Sequence, residues 1–206
     1  MRKIISVNIL LAFLLMGALP LAAARPSAKS VVENALKKLR STKSLNVSFS
    51  VKNGGNSGTG KLTVAGKCFM MDAPDLKVWY DGATQWAYAP RGGEVNVTTP
   101  TAAELAESNP MSVLTNMSTA YACRRLSSSS SVDKIELTPR GKTDIAKAVV
   151  TFSVATGYPT DIVVTGTDRS VTSIHITSLK AGSALPVSYF RFDSRKYPGV
   201  EIVDLR

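Results

Sequence analysis

The residues that most often carry out chemistry are few in this 206-residue chain and are poorly placed for it. Its single histidine, His175, alternates with Ile174 and Ile176, which predicts a surface position on a half-buried strand. The sequence has no G-x-S-x-G elbow that would present a nucleophilic serine. Two neighbouring carboxylates, Asp72 and Asp75, flank Pro74 and have the pattern of turn formers. These residues do not predict an enzyme.

The two cysteines, Cys68 and Cys123, allow two interpretations. An even number of cysteines in an exported chain favours one disulfide bond between them. Two buried free thiols are the alternative. Two cysteines and one histidine do not complete a four-ligand zinc site at a recognisable spacing, so no metal is predicted. No sequence motif indicates a cofactor.

The first 24 residues have the three parts of a secretory signal peptide. Arg2 and Lys3 form a basic start, residues 4–19 are mainly apolar, and residues 22–24 are three alanines suited to cleavage. The apolar run is short for a membrane-spanning helix, although an uncleaved anchor is the alternative. We therefore expect residues 1–24 to be removed and residues 25–206 to form a single domain that is exported into an oxidising compartment.

The chain is basic, with 25 Lys and Arg against 15 Asp and Glu and a net charge of +10. Without Arg2 and Lys3, 23 basic and 15 acidic residues leave a net charge of +8. The basic residues are scattered singly or in pairs such as Lys37-Lys38, without a dense block interleaved with aromatics. Nucleic-acid binding is therefore not predicted, whereas an anionic lipid or an acidic protein partner is compatible with the charge.

The periodicity of the sequence predicts a mainly β domain. Ser30 and Glu33 form a capping box for an amphipathic helix that ends near Arg40. From Leu45 the apolar period changes to two, and about eleven strands are predicted. They include Leu76–Tyr80, Gln85–Ala89, Glu94–Thr98, Val187–Phe192 and Val200–Val203. Residues 101–108 and 109–117 are predicted as two further short helices. Many short strands joined by tight turns indicate an antiparallel sheet that curls toward a barrel, with the helices on its concave side.

Apolar and aromatic residues are concentrated on a few strands. Trp79, Tyr80, Trp86 and Tyr88 surround one predicted hairpin, at which Asp81-Gly82 forms the turn. These residues could form an ordinary packed core. Alternatively, they line an apolar cavity for lipid chains, for which flexible methionine side chains are well suited.

Several motifs occur in the order found in a known family. Residues 79–90 read WYDGATQWAYAP, where the family pattern is close to DGKTLWFYNP, and residues 58–62 match its G-x-G-x-L strand. Residues 109–114, NPMSVL, match an N-T-P segment followed by apolar residues. In these motifs the chain resembles the LolA-like periplasmic carriers of outer-membrane lipoproteins. One departure is that Lys67 stands near the position of an Arg-Pro pair that helps to hold the family's lid shut.

The resemblance implies an unclosed, strongly curved antiparallel β-barrel with two or three helices covering an apolar cavity. It implies a monomer that binds the acyl chains of lipoproteins non-covalently, with no cofactor. Such a carrier would shuttle its cargo from a donor complex in the inner membrane to an acceptor in the outer membrane, contacting each only transiently. An envelope sensor or interaction module that binds lipid or lipoprotein without transferring it is the alternative.

Strand alternation and the resemblance together predict which side chains line the cavity. The predicted residues are those expected on the concave side of the strands or on the covering helix. They are Val47, Phe49, Leu62, Val64, Phe69, Met71, Trp86, Tyr88, Leu114, Met117, Ile174, Ile176, Phe190 and Phe192.

Overall fold

The computed structural model of the chain describes residues 25–101, 104 and 120–206. Within them the fold is mainly β, with one α-helix and one twelve-stranded sheet. The elements are α1 (Ala28–Arg40), β1 (Ser44–Asn53), β2 (Asn56–Ala65), β3 (Cys68–Ala73), β4 (Leu76–Tyr80), β5 (Gln85–Ala89), β6 (Glu94–Thr98), β7 (Tyr121–Ser128), β8 (Val132–Pro139), β9 (Ile145–Ser153), β10 (Pro159–Gly166), β11 (Val171–Gly182) and β12 (Glu201–Asp204).

The helix α1 covers one face of the sheet. Its buried residues are Val32, Ala35, Leu36 and Leu39, which recur at helical spacing and belong to the main core cluster. The N-cap is Ser27, three residues before the predicted cap at Ser30, because the Ser27 hydroxyl accepts a hydrogen bond from the Ser30 amide at 3.1 Å. Its predicted end near Arg40 is confirmed.

The sheet is open and curved rather than a barrel, with β12 and β7 as its two edges. Its strands follow the order β12-β6-β5-β4-β3-β2-β1-β11-β10-β9-β8-β7. Eleven of these strands form antiparallel pairs joined mainly by short turns, so successive turns alternate between the two ends of the sheet.

Cross-strand register defines the face that α1 covers, which we call the helix face. Val47 lies opposite Leu62, Leu62 opposite Met71, and Met71 opposite Val78. On the other side of β1, Phe49 lies opposite Ile176. These residues and the buried side of α1 form one continuous core.

The opposite side of the sheet, the outer face, is covered at β4 and β5 by the C-terminal segment. Trp79 packs against Phe192 and Tyr197, with ring centroids 5.4 and 5.7 Å apart. The Arg191 side chain donates a hydrogen bond to the Asp81 carboxylate at 2.8 Å, which fixes this segment to the turn between β4 and β5. A second, smaller apolar layer therefore lies outside the sheet.

The prediction of a strand at Val187–Phe192 is wrong. Val187–Phe190 forms a 3-10 turn instead, with the Tyr189 amide donating to the Pro186 carbonyl at 3.0 Å. The segment crosses the outer face rather than joining the sheet, and β12 then pairs with β6 in parallel. The strand predicted at Val200–Val203 corresponds to β12, shifted by one residue. Its parallel pairing with β6 could not be inferred from local alternation.

The two helices predicted at residues 101–108 and 109–117 lie outside the described residues, apart from Thr101 and Glu104. The amide and hydroxyl of Thr101 both donate to the Glu104 carboxylate, at 2.7 and 2.9 Å, which is a capping-box contact. No helix among the residues that the structure describes has the length and apolarity needed to cross a bilayer.

Candidate functional site

An apolar cavity of about 440 Å³ opens on the helix face, at the end of the sheet where β1 finishes. Its apolar lining comes from neighbouring strands: Phe49, Val51, Met71, Leu76 and Ile174. The turns β1–β2 and β3–β4 form its rim, and Asp75 is the one charged residue lining it among those described. This volume lies within the range of about 300–1,000 Å³ that is typical of ligand pockets.

The shape of the cavity depends on the close approach of β1 and β2. Phe49 lies opposite Gly60, and a Cβ atom at position 60 would come within 2.6 Å of the Phe49 ring. The absence of a side chain at Gly60 thus allows the Phe49 ring to lie flat across β2. The ring then forms part of the cavity wall instead of projecting into the cavity.

The helix α1 closes the opposite end of the same face. It leads directly into β1 at Ser44, whereas the cavity lies beside the other end of that ten-residue strand. The Lys38 ammonium donates to the Thr156 carbonyl in the β9–β10 turn at 2.6 Å, and Arg125 donates to the Pro26 carbonyl at 2.6 Å. The helix face is therefore closed at the α1 end and open at the other.

A second cavity of about 450 Å³ lies under α1, beside the β7–β8 and β9–β10 turns. Phe152 contributes to its wall, but Arg25, Lys38 and Asp133 line it as well. Charged groups need paired or solvated surroundings, so this cavity suits an apolar ligand less well than the one at the open end.

Of the predicted cavity residues, eight lie together on the helix face. They are Val47, Phe49, Leu62, Val64, Phe69, Met71, Ile174 and Ile176. Phe49, Met71 and Ile174 line the open cavity. The remaining five pack into the core, and Val47 is only 3% exposed.

Four other predicted residues do not face the cavity. Val78 of the helix face lies opposite Ala87, so Trp86 and Tyr88, on either side of Ala87, point to the outer face. Phe192 packs on Trp79 of the outer face, and Phe190 is buried in the 3-10 turn. The expectation that all the aromatic residues converge on one side is therefore wrong. Leu114 and Met117 lie outside the described residues.

The cavity also contains residues that the sequence prediction left out. Val51 continues the alternation of Val47 and Phe49 and could have been included from that pattern. Leu76 begins β4 beside the β3–β4 turn, and no local signal indicated that this turn lies next to β1.

Both cysteines are free thiols in the structure, so the disulfide considered from the sequence is not formed in it. Cys68 begins β3 near Asp81 and Arg191, whereas Cys123 on β7 has Arg140, Glu33 and Lys29 as charged neighbours. The two thiols thus occupy different surroundings. Burial raises the pKa of each thiol above its ordinary value.

The predicted surface position of His175 is confirmed. Its Nδ1 atom lies 2.7 Å from the Asp161 carboxylate on the outer face, and both side chains are exposed. Burial tends to raise the pKa of Asp161, but hydrogen bonds from His175 and Thr160 outweigh it and lower that pKa. Within residues 25–101, 104 and 120–206, no group of three His, Cys, Asp or Glu side chains could hold a metal ion.

The family model described as outer membrane lipoprotein carrier protein LolA matches residues 23–132, more than half of the chain. The chain belongs to the LolA family. Members of this family are carrier or binding proteins rather than enzymes. No curated protein is similar enough in sequence to match the chain.

Three solved structures are similar to this chain to different degrees. An uncharacterized conserved protein from Thermus thermophilus is 9% identical, with 87% of this chain and 99% of that one covered and a TM-score of 0.58. A LolA superfamily protein from Nitrosomonas europaea is 11% identical, with coverages of 82% and 99% and a TM-score of 0.45. The MucA/MucB complex of Pseudomonas aeruginosa gives 14% identity, coverages of 81% and 61%, and a TM-score of 0.43. The first of these shows that the fold is shared.

Proposed function

We propose that this protein binds the acyl chains of lipoproteins in the open apolar cavity and carries them through the periplasm from the inner to the outer membrane. The observation that carries the proposal is the cavity itself, which is apolar, open at one end and lined by Phe49, Val51, Met71, Leu76 and Ile174. Membership of a family described as lipoprotein carriers supports it. The protein would act as a monomer that binds the inner-membrane donor and the outer-membrane acceptor only transiently.

The energetics of acyl chains explain why such a protein is needed. Burying an acyl chain stabilises it by about 0.8 kcal/mol per methylene, or roughly 12 kcal/mol for a chain of about fifteen carbons. A lipoprotein therefore does not cross the aqueous periplasm alone at a useful rate. A carrier has to offer comparable burial and still release its cargo, which an open cavity beside a packed core permits.

Binding is tested with a fluorescent fatty acid and two glutamate variants of adjacent β1 residues. Val51 lines the cavity, and Val51→Glu should lower the affinity for the probe by roughly tenfold, because an unpaired charge would face the acyl chain. Ser50 points to the outer face, opposite His175, and Ser50→Glu is the matched control that should leave affinity unchanged. Equal affinities of folded Val51→Glu and the wild type would show that the acyl chain does not occupy this cavity.

Transfer requires a second assay, because a sensor or interaction module would use the same cavity without passing its ligand on. The protein is loaded with an acylated lipoprotein from inner-membrane vesicles and mixed with outer-membrane vesicles. Movement of the lipoprotein to the second vesicles supports a carrier. Stable binding without movement would favour the module that binds without transfer.

A further inference from the structure

The end of the sheet that holds the cavity mouth also carries a cationic cleft. This cleft, of about 490 Å³, lies between the β1–β2 and β10–β11 turns, and Lys52, Arg169, Ser170 and Val171 contribute to its lining. Asn53 lines both the cleft and the apolar cavity, so the two adjoin at the β1–β2 turn. Lys52 and Arg169 are exposed and form no salt bridge with a residue that the structure describes.

Arg169 has an unusual backbone conformation at the tip of the β10–β11 turn. Its φ of 70° is the one positive value among the described non-glycine residues. A long side chain is disfavoured there, and glycine, asparagine or aspartate would be the ordinary choice. The turn is held by a hydrogen bond from the Arg169 amide to the Gly166 carbonyl at 3.1 Å and by one from the Ser170 amide to Asp168 at 2.9 Å. An exposed arginine in a conformation that costs free energy points to a role for its side chain.

Apolar side chains are exposed beside these cations. Val171 is 46% exposed in the cleft, and Leu76 is 39% exposed at the rim of the cavity. Arg91 at the same end pairs with Asp75 at 3.0 Å, so this pair adds no net charge to the rim. Basic groups next to exposed apolar groups are typical of proteins that lie on an anionic membrane surface.

We propose that this rim, formed by the turns β1–β2, β3–β4 and β10–β11, docks on an anionic lipid bilayer. Lys52 and Arg169 contact lipid phosphates, and Leu76 and Val171 enter the interface. The cavity mouth then faces the membrane, so an acyl chain can pass between the bilayer and the cavity with little exposure to water. The purpose of the docking rests on the proposed function, but the docking itself can be measured without it.

The experiment is flotation of the purified processed protein with protein-free vesicles of phosphatidylethanolamine and phosphatidylglycerol, compared with phosphatidylcholine vesicles. Lys52→Gln/Arg169→Gln should lower partition onto the anionic vesicles by about 30-fold, since each cation near such a surface contributes about fivefold. Lys37→Gln/Lys43→Gln removes the same charge from the α1 end and should change partition by no more than about twofold, because distant charges are screened.

A second pair of variants tests the apolar contact. Val171→Ser should weaken vesicle binding by about threefold or more, whereas Val154→Ser should not. Val154 is a suitable control because it is 51% exposed and lies in the β9–β10 turn at the α1 end.

Several results would overturn the docking surface. The first is that the wild type shows no preference for anionic vesicles. The second is that the two double variants lose vesicle binding equally. The third is that the protein binds vesicles only when membrane proteins are present in them. Affinity for the free fluorescent fatty acid is measured in parallel. If the wild type binds the probe but shows no vesicle binding, the docking surface alone is refuted. If the wild type binds vesicles but not the probe, the proposed function alone is refuted.

Discussion

Asp81 is the residue that joins the β4–β5 hairpin to the C-terminal segment. Its carboxylate is only 8% exposed and accepts hydrogen bonds from the amides of Ala83 and Thr84 and from Arg191. Burial tends to raise the pKa of Asp81, but these hydrogen bonds outweigh it and hold that pKa below its usual value of 3.8. The ionised carboxylate therefore stabilises the folded chain.

Replacing this carboxylate should weaken the attachment of the C-terminal segment. Asp81→Asn keeps the shape of the side chain but removes the charge facing Arg191, and it should lower the free energy of unfolding by about 1–2 kcal/mol at pH 7. A carboxyl whose pKa is lowered by folding stabilises the folded state at any pH above its ordinary pKa. This contribution to stability is lost as the pH falls through the lowered pKa. The difference between variant and wild type should therefore shrink below pH 3.8.

The matched control is Asp75→Asn at the β3–β4 turn. Asp75 pairs with Arg91 at 3.0 Å, but both side chains are largely exposed, so the change should cost less than about 0.5 kcal/mol. Urea unfolding at pH 7 and pH 3 measures both variants. Equal stability of Asp81→Asn and Asp75→Asn at pH 7 would show that the buried carboxylate has no special role.

The cysteines provide a second test at the scale of single residues. Because Cys68 and Cys123 are separate free thiols, alkylation of the denatured, unreduced protein should label two thiols per chain. In the native protein the labelling should be slow at neutral pH, since burial raises the pKa of each thiol and lowers its thiolate fraction. Mass spectrometry counts the labels, and an unlabelled chain would show that Cys68 and Cys123 form a disulfide after all.

Pairing between β1 and β2 determines the wall of the cavity. Gly60→Ala would place a Cβ atom 2.6 Å from the Phe49 ring, so the ring must rotate away from β2. We expect a loss of about 1–3 kcal/mol in unfolding free energy. We also expect weaker binding of the fluorescent fatty acid, because the displaced ring would occupy part of the cavity.

Gly55→Ala serves as the control for this change. Gly55 lies in the neighbouring β1–β2 turn, where an added Cβ atom meets no other atom within 4 Å. Its stability and probe affinity should remain close to those of the wild type. If Gly60→Ala behaved in the same way, the contact between Phe49 and β2 would not shape the cavity.

The sequence predicted strands better than it predicted the faces to which their side chains belong. The bounds of β4, β5 and β6 match the prediction, because each is an alternating run between clear turn residues. Alternation assigns residues to two faces of one strand, but it does not say which face a neighbouring strand shares. Trp86 and Tyr88 were placed with Val47 for that reason, although the register puts them on the outer face.

Local sequence patterns also do not show whether a residue on the helix face lies in the core or at the cavity. Val47, Phe49 and Val51 share a face and look equivalent in the sequence, yet Val47 is in the core and Val51 is at the cavity. Likewise, residues 187–192 alternate like a strand, but Val187–Phe190 forms a 3-10 turn and Phe192 packs against Trp79 on the outer face. Both distinctions depend on contacts between segments that are distant in sequence.

At the scale of the whole molecule, the helix face is divided between a packed core and an open cavity. The core, with α1 on it, provides stability at one end of the sheet, and the cavity at the other end can remain loosely filled. A ligand that enters the cavity therefore need not disrupt the core. This division is compatible with tight burial of an acyl chain followed by its release.

The charge of the whole molecule leads to a prediction about encounter with its partners. The net charge of +8 for residues 25–206 should steer the protein toward an acidic surface on the donor or the acceptor. Steering of this kind raises the rate of association more than it tightens the complex. Raising the salt from about 0.05 to 0.5 M shortens the Debye length to well below about 8 Å, so association with the purified donor or acceptor should slow several-fold.

Stopped-flow fluorescence measures this rate, and affinity for the fluorescent fatty acid is the control. Probe binding is an apolar contact and should not weaken over the same range, since added salt does not screen the hydrophobic effect. A salt-independent association rate with both partners would leave the basic charge as a feature that keeps the protein soluble. Recognition would then depend on exposed apolar residues near the cavity mouth, such as Leu76, instead of on long-range electrostatic attraction.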